Sequence, residues 1–299
     1  SRGLGDVYKR QAIDSALILR KSFEHGEALS EIEISELLKE SKLVEKLTRD
    51  YEDSPFFNIF RLICLSEIPF IEQLPYTQKI IDFISNNLAA DEGFSYNGQG
   101  DCIVPCYNAM LLEAYTRLQM AKSNEAQNAL DWIKRYQVFE RNQRTSWRYG
   151  EICKHGGCMK ATPCYIGIGK TVRALITYAK YIKNADSHVE QLIEQGIVYM
   201  LKHNMYQRLS NQQCISKYID KIMFPQAYML SLTDLVYIVN ERNLWWDQRT
   251  IPLKNLLEEK QVGSGQWKIE YIYSHKGYKA FETKRNSSKW INYLYNLNK

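Results

Sequence analysis

Three cysteines and a histidine crowd residues 147–165, WRYGEICKHGGCMKATPCY. A second cysteine pair, Cys102 and Cys106, lies in GFSYNGQGDCIVPCY, residues 93–107. Zinc takes four N or S ligands, often as two close pairs from separate segments. Cys102, Cys106, Cys158 and Cys164 make the first candidate set, with Cys153 and His155 as substitutes. Cys106 and Cys164 fall where apolar helices are expected to begin, and a helix N-terminus favours thiolate. The competing reading is cysteine as a small buried hydrophobe. Four protein ligands would make the site structural, since zinc catalysis needs an open position.

Two further sets could do chemistry. Asp101, His155 and Asp234 are the candidate acid–base residues. Asp234 falls within the apolar run QAYMLSLTDLVYIV, where an unpaired carboxylate is costly. It is therefore either an acid of raised pKa or the partner of a neighbouring group. Tyr107, Tyr165, Tyr228 and Trp290 lie on or at the openings of apolar runs, as do Tyr115, Tyr178 and Tyr237. Their faces could wall a central cavity for an apolar ligand or a cationic intermediate, or simply fill a core. Gly167-Ile168-Gly169-Lys170 lies inside a helical pattern and lacks the strand a phosphate loop needs. His188 and His203 read as helix-end or surface residues.

The elements that must hold these residues recur. An aromatic just after Pro or Ser opens an apolar helix at Pro55, Pro105, Pro163, Pro225 and Ser288, in steps of 50, 58, 62 and 63 residues. Proline suits the first helical turn, where its missing N–H has no intrahelical acceptor. Between the apolar helices lie amphipathic ones: TQKIIDFISNNLA, NEAQNALDWIKRYQVFE, SHVEQLIEQGIVYMLKH and QRTIPLKNLLEEKQ. Such a helical-hairpin unit cannot bury its apolar helix alone and must stack on its neighbours. Roughly five inner helices, apolar nearly all round, point to a closed ring rather than an open solenoid. Two more amphipathic stretches precede the repeats, and Ser30 with Glu33 reads as a capping box opening the second of them.

The 45% apolar and 24% charged residues of this 299-residue chain fit one large globular domain. A net charge of +5 is spread along the chain without a basic block, which argues against a nucleic-acid partner. No apolar run approaches the ~20 residues that span a bilayer. Seven cysteines at short spacings read as free or metal-bound thiols of a reducing cytoplasm. Residues 1–11, SRGLGDVYKRQ, lack helical period and read as a non-native leader.

KQVGSGQW, residues 260–267, carries Gln261, Gly265 and Trp267 in the spacing of the QW motif. Weaker echoes are Gly93-Phe94 and Gln143 with Trp147. The Pro-Cys-Tyr openings are similar to the Cys-Tyr helix start of protein prenyltransferase β-subunits. Residues 50–299 thus resemble squalene cyclase-like and prenyltransferase-like proteins. The resemblance implies an all-α, single-domain α/α toroid over residues 12–299, acting on an apolar isoprenoid-type ligand. It also departs from those enzymes: the chain has no Asp-x-Asp-Asp acid run, and Val104 and Thr162 stand where the prenyltransferase zinc pattern needs Asp. The expectation is therefore a toroid that binds or transforms an isoprenoid-type ligand in a central cavity, with zinc at one rim. The alternative is a non-catalytic, zinc-stapled scaffold for a protein or peptide.

Overall fold

The structure is a computed structural model that describes residues 13–143, 145–147, 163–183 and 186–296. Cys153, His155 and Cys158, and the leader expected at 1–11, lie outside the described residues. The described chain is all-α but for one two-stranded antiparallel turn, Ala89–Ala90 with Gly93–Phe94. No described helix is long and apolar enough to cross a membrane.

Helix α1 spans Ser15–Glu24 and is capped by the Asp14 carboxylate. Helix α2, Glu31–Glu40, opens with the expected Ser30–Glu33 capping box. The amphipathic run does not continue through residue 50 as one helix. Ser41 is extended, caps the Val44 N–H and donates to Asp14, so a separate α3 runs Lys42–Thr48.

The apolar helices follow as α4, Pro55–Leu65; α6, Pro105–Arg117; α8, Tyr165–Tyr181; α10, Leu232–Glu241; and α12, Lys289–Asn296. Each packs on the next of the set in chain order. Helices α6 and α8 are buried at every residue from Asn108 to Arg117 and from Gly167 to Tyr178. The amphipathic partners are α5, Pro75–Asn87; α7, Asn124–Tyr136; α9, Ser187–Lys202; and α11, Ile251–Glu259. Helix α7 buries Ala126, Ala129, Leu130 and Ile133, the single stripe of an outer helix. It lies on α6, as α5 lies on α4 and α9 on α8.

Two expected helix starts move. Pro163 lies outside α8, whose N-cap is Cys164. The run after Phe224-Pro225 is irregular to Leu230, and α10 begins only at Leu232. Ser231 and Asp234 set that start, because the Ser231 hydroxyl accepts from the Asp234 N–H while the Asp234 carboxylate accepts from the Ser231 N–H. Asp234 is thus an N-terminal capping residue and not an isolated acid in mid-helix.

Early and late parts of the chain meet. Lys46 donates to the Ala280 carbonyl at 2.6 Å, Lys279 pairs with Asp50 at 3.1 Å, and Lys276 pairs with Glu52 at 3.2 Å. The buried Arg61 of α4 donates to the carbonyls of Lys276 and Gly277. Gly277 is required there, since a Cβ would stand 2.4 Å from the Phe57 carbonyl oxygen. Gln261 closes its own turn by accepting from the Gly265 N–H, and buried Trp267 donates to the Leu257 carbonyl and packs on Tyr295.

Candidate functional site

The space between the apolar helices holds charge, not an apolar cavity. Arg20 of α1, Arg117 of α6, and Lys170 and Arg173 of α8 meet Glu24, Glu67, Glu113 and Asp234. Arg173 bridges three carboxylates at once: Glu67 at 3.0 Å, Glu113 at 3.0 Å and Asp234 at 2.9 Å. Lys170 completes Asp234 at 3.0 Å, and Gln226 joins Lys170 to Glu113 through its own amide. Burial raises the Glu113 carboxyl, but Arg173 and Arg117 outweigh it and hold the group at about 2. Tyr237 lies under Arg173 and shares a hydrogen bond with Thr177. The cavity among these groups measures about 20 Å³, room for about one water.

Asp234 is therefore saturated by two cations and two cap donors. Asp101 is exposed on the connector before α6, and nothing in the structure brings it to Asp234.

A different surface gathers aromatic rings. Phe56 and Phe60 come from the first turns of α4, Tyr107 from the first turn of α6, and Tyr96 from the connector before it. Tyr228 comes from the irregular run before α10, and Tyr273 and His275 from the segment between α11 and α12. Phe56 lies 6.2 Å from Tyr96 and 5.8 Å from Tyr107; Tyr107 stacks on Tyr228 at 6.5 Å; and Tyr228 meets Tyr273 at 5.8 Å. Phe60, buried beneath, touches Tyr273 at 4.9 Å and His275 at 5.0 Å. Phe56 and Tyr228 remain 39% and 37% exposed, so the cluster presents open ring faces to solvent.

Four segments distant in sequence make this face, and specific bonds set their register. The Glu270 N–H donates to the Ile222 carbonyl at 2.8 Å, and the Tyr278 hydroxyl donates to the Pro225 carbonyl at 2.7 Å. The Gly277 N–H donates to His275 Nδ1 at 3.1 Å, so the neutral ring carries its proton on Nε2. Burial lowers the His275 pKa below its ordinary value although Glu52 pulls the other way. Burial, together with Cys106 and neighbouring tyrosines, raises the Tyr107 hydroxyl well above its ordinary value. The face is thus uncharged at neutral pH.

Of the seven aromatics singled out in the sequence, Tyr107 and Tyr228 alone lie on this face; Tyr115 bonds Ser85, Tyr178 bonds Gln127 and Tyr237 lies under Arg173. Tyr165 is buried against Tyr199 and His203, its hydroxyl on the Met205 carbonyl. Trp290 is buried between Phe224 and Phe281. Phe56, Tyr273 and His275 were missed as site residues; the run YIYSHKGY has no helical period to mark it.

Cys106 and Cys164 stand at the starts of adjacent helices. Gly167 allows the approach, since a Cβ there would meet Pro105 Cβ at 2.9 Å and Cys164 Cβ at 3.7 Å. Cys102 lies on the connector before α6 and donates to Gln99. Among the described residues no group of three or more His, Cys, Asp or Glu side chains is placed to hold a metal ion; Cys153, His155 and Cys158 are not among those residues.

In comparisons with known proteins, no family model, no curated protein and no solved structure matches the chain.

Proposed function

We propose that the chain is a closed ring of helical hairpins, an α/α toroid, that binds an apolar isoprenoid-type ligand on its aromatic face. The observation that carries this reading is the contiguous set Phe56, Tyr96, Tyr107, Tyr228, Tyr273 and His275, with two rings more than a third exposed. Apolar surface left in water gains on being covered, at roughly 25 cal/mol per Å². Neutral ring faces also suit a polyene, whose soft edges pack on them. The role is binding rather than turnover. The carboxylate of Asp234 is locked in ion pairs, and among the described residues His275 is the one imidazole on the face. The early–late contacts at Lys46, Asp50 and Arg61 support ring closure.

Farnesol binding, followed by intrinsic fluorescence, tests the reading. Wild type should saturate, and the double variant Phe56→Ala/Tyr228→Ala should lose about tenfold in affinity, about 1.4 kcal/mol. Absence of saturable binding, or equal affinity in both proteins, overturns it.

One observation favours a second reading, the zinc-stapled scaffold: α6 and α8 begin side by side at Cys106 and Cys164. Zinc analysis checks it. Cys106→Ser and Cys164→Ser should each lower metal content and melting temperature together; a variant that keeps both removes that cysteine from the ligand set.

A further inference from the structure

The end of the bundle where α1, α6 and α8 finish holds a cleft of about 270 Å³ that the aromatic face does not share. Arg20 and Arg117 form its floor, Lys180 stands at its edge, and Phe23, Tyr181 and Tyr237 wall it. Both arginine side chains are only 4% exposed. Each leaves part of its guanidinium unused. Arg20 spends Nε on Glu24 and Nη1 on Glu67, and its Nη2 makes no hydrogen bond among the described residues. Arg117 spends Nε and Nη2 on Glu113, while its Nη1 lies 3.8 Å from Glu67, beyond hydrogen-bond reach.

We propose that this cleft is a binding site for a small aromatic or apolar monocarboxylate. Two buried forks with spare N–H groups match the two oxygens of a carboxylate. The three aromatic walls suit an apolar body attached to it. The carboxylates behind the arginines are already saturated: Glu67 by Arg20 and Arg173, Glu113 by Arg117, Arg173 and Gln226. The unused donors therefore call for an acceptor from outside.

Charge selects a monoanion over a polyanion. Three cations line the cleft against the single carboxylate of Glu24, which already accepts from Arg20 and from the Tyr293 hydroxyl. Glu67 and Glu113 compensate the two arginines from below, and Glu241 holds Lys180 at 2.7 Å. Three helix C-termini also end here, and their carbonyl ends disfavour added negative charge. Directed N–H groups favour one carboxylate, while the surrounding field opposes the second charge of a phosphate. The 20 Å³ cavity shares Arg20, Glu24, Arg117 and Tyr237 with the cleft and offers room for one water beneath the ligand.

Calorimetric titration of the full chain with benzoate, and separately with inorganic phosphate, tests the site. Benzoate should bind saturably with Kd of about 1 mM or tighter, and phosphate should neither bind there nor compete. Lys180→Gln, at a half-exposed rim position, should weaken benzoate about threefold. Arg117→Lys, with its fold checked by circular dichroism, should weaken it about tenfold, because an ammonium cannot present the fork. Absence of benzoate binding, phosphate binding as strong as benzoate, or benzoate affinity unchanged in Lys180→Gln overturns the proposal. If Arg117→Lys fails to fold, the Lys180→Gln result decides.

Discussion

The ionic centre and the aromatic face share helix α6 and are opposites in how they use their groups. At the centre every carboxylate is met: Arg173 alone binds Glu67, Glu113 and Asp234. On the face, rings from α4, α6 and the late segment touch one another yet leave Phe56 and Tyr228 partly in water. Carboxylates so saturated have no capacity left for a ligand cation, and apart from the spare N–H groups of Arg20 and Arg117 at its edge the network serves to fix how the helices meet. An unsaturated apolar surface has free energy still to gain. Desolvating eight ions is costly, and a well-packed apolar centre could be as stable. What the network adds is directional, since α6, α8 and α10 must each present their charges at one height to find their partners.

Breaking the centre should have the largest effect. Arg173→Met removes one cation from each of three buried carboxylates at once and should cost about 3–5 kcal/mol in chemical denaturation. A loss below about 1 kcal/mol would mean that the network contributes little.

Acid offers a second way in. The folded Glu113 carboxyl titrates at about 2 against an ordinary 4.5, so folding favours its ionised form. Its contribution, on the order of 3 kcal/mol, is complete above pH 4.5 and is lost as pH falls toward 2. Stability of the wild type should fall across that window, and Glu113→Gln, less stable at pH 7, should show a flatter profile there. A parallel pair of profiles would contradict the assignment.

The cap beside the centre should matter less. Ser231→Ala removes the hydroxyl that both caps α10 and donates to Asp234 at 2.8 Å. A loss of about 1–2 kcal/mol is expected by thermal melting. On the face, Phe56→Ala should change stability by only about 0.5 kcal/mol, being a partly exposed position, while it weakens farnesol binding. Equal stability losses at Arg173 and Phe56 would erase the distinction between the two regions.

Much of the helical frame was legible in the sequence. The proline starts at Pro55 and Pro105, the Ser30–Glu33 box and the single apolar stripe of α7 follow from local rules that need no partner. The start of α10 departs from the proline signal at Pro225, because Ser231 and Asp234 supply the cap. The break at Ser41 was missed for a similar reason, as its hydroxyl finds Asp14 from a distant segment. Only Asp234 of the ionic centre stood out, and its environment did not. The network's ion pairs span up to 106 residues, between Glu67 and Arg173, a separation that periodicity cannot report. Glu113, Lys170 and Arg173 on otherwise apolar helices were the available signal: a buried charge in such a helix implies an opposite charge on its neighbour. The aromatic face was half legible, through Tyr107 and Tyr228; Phe56 sits on a helix whose aromatic start reads as core, and Tyr273 and His275 lie in a segment without secondary structure.

The most direct test is amide hydrogen exchange of the wild-type chain with and without saturating farnesol. Binding at the aromatic face predicts added protection in the segments 54–60, 95–107 and 271–277, and none at the ends of α1 and α8. Protection confined to residues 20–26 and 178–183, or no change anywhere at saturation, would contradict it.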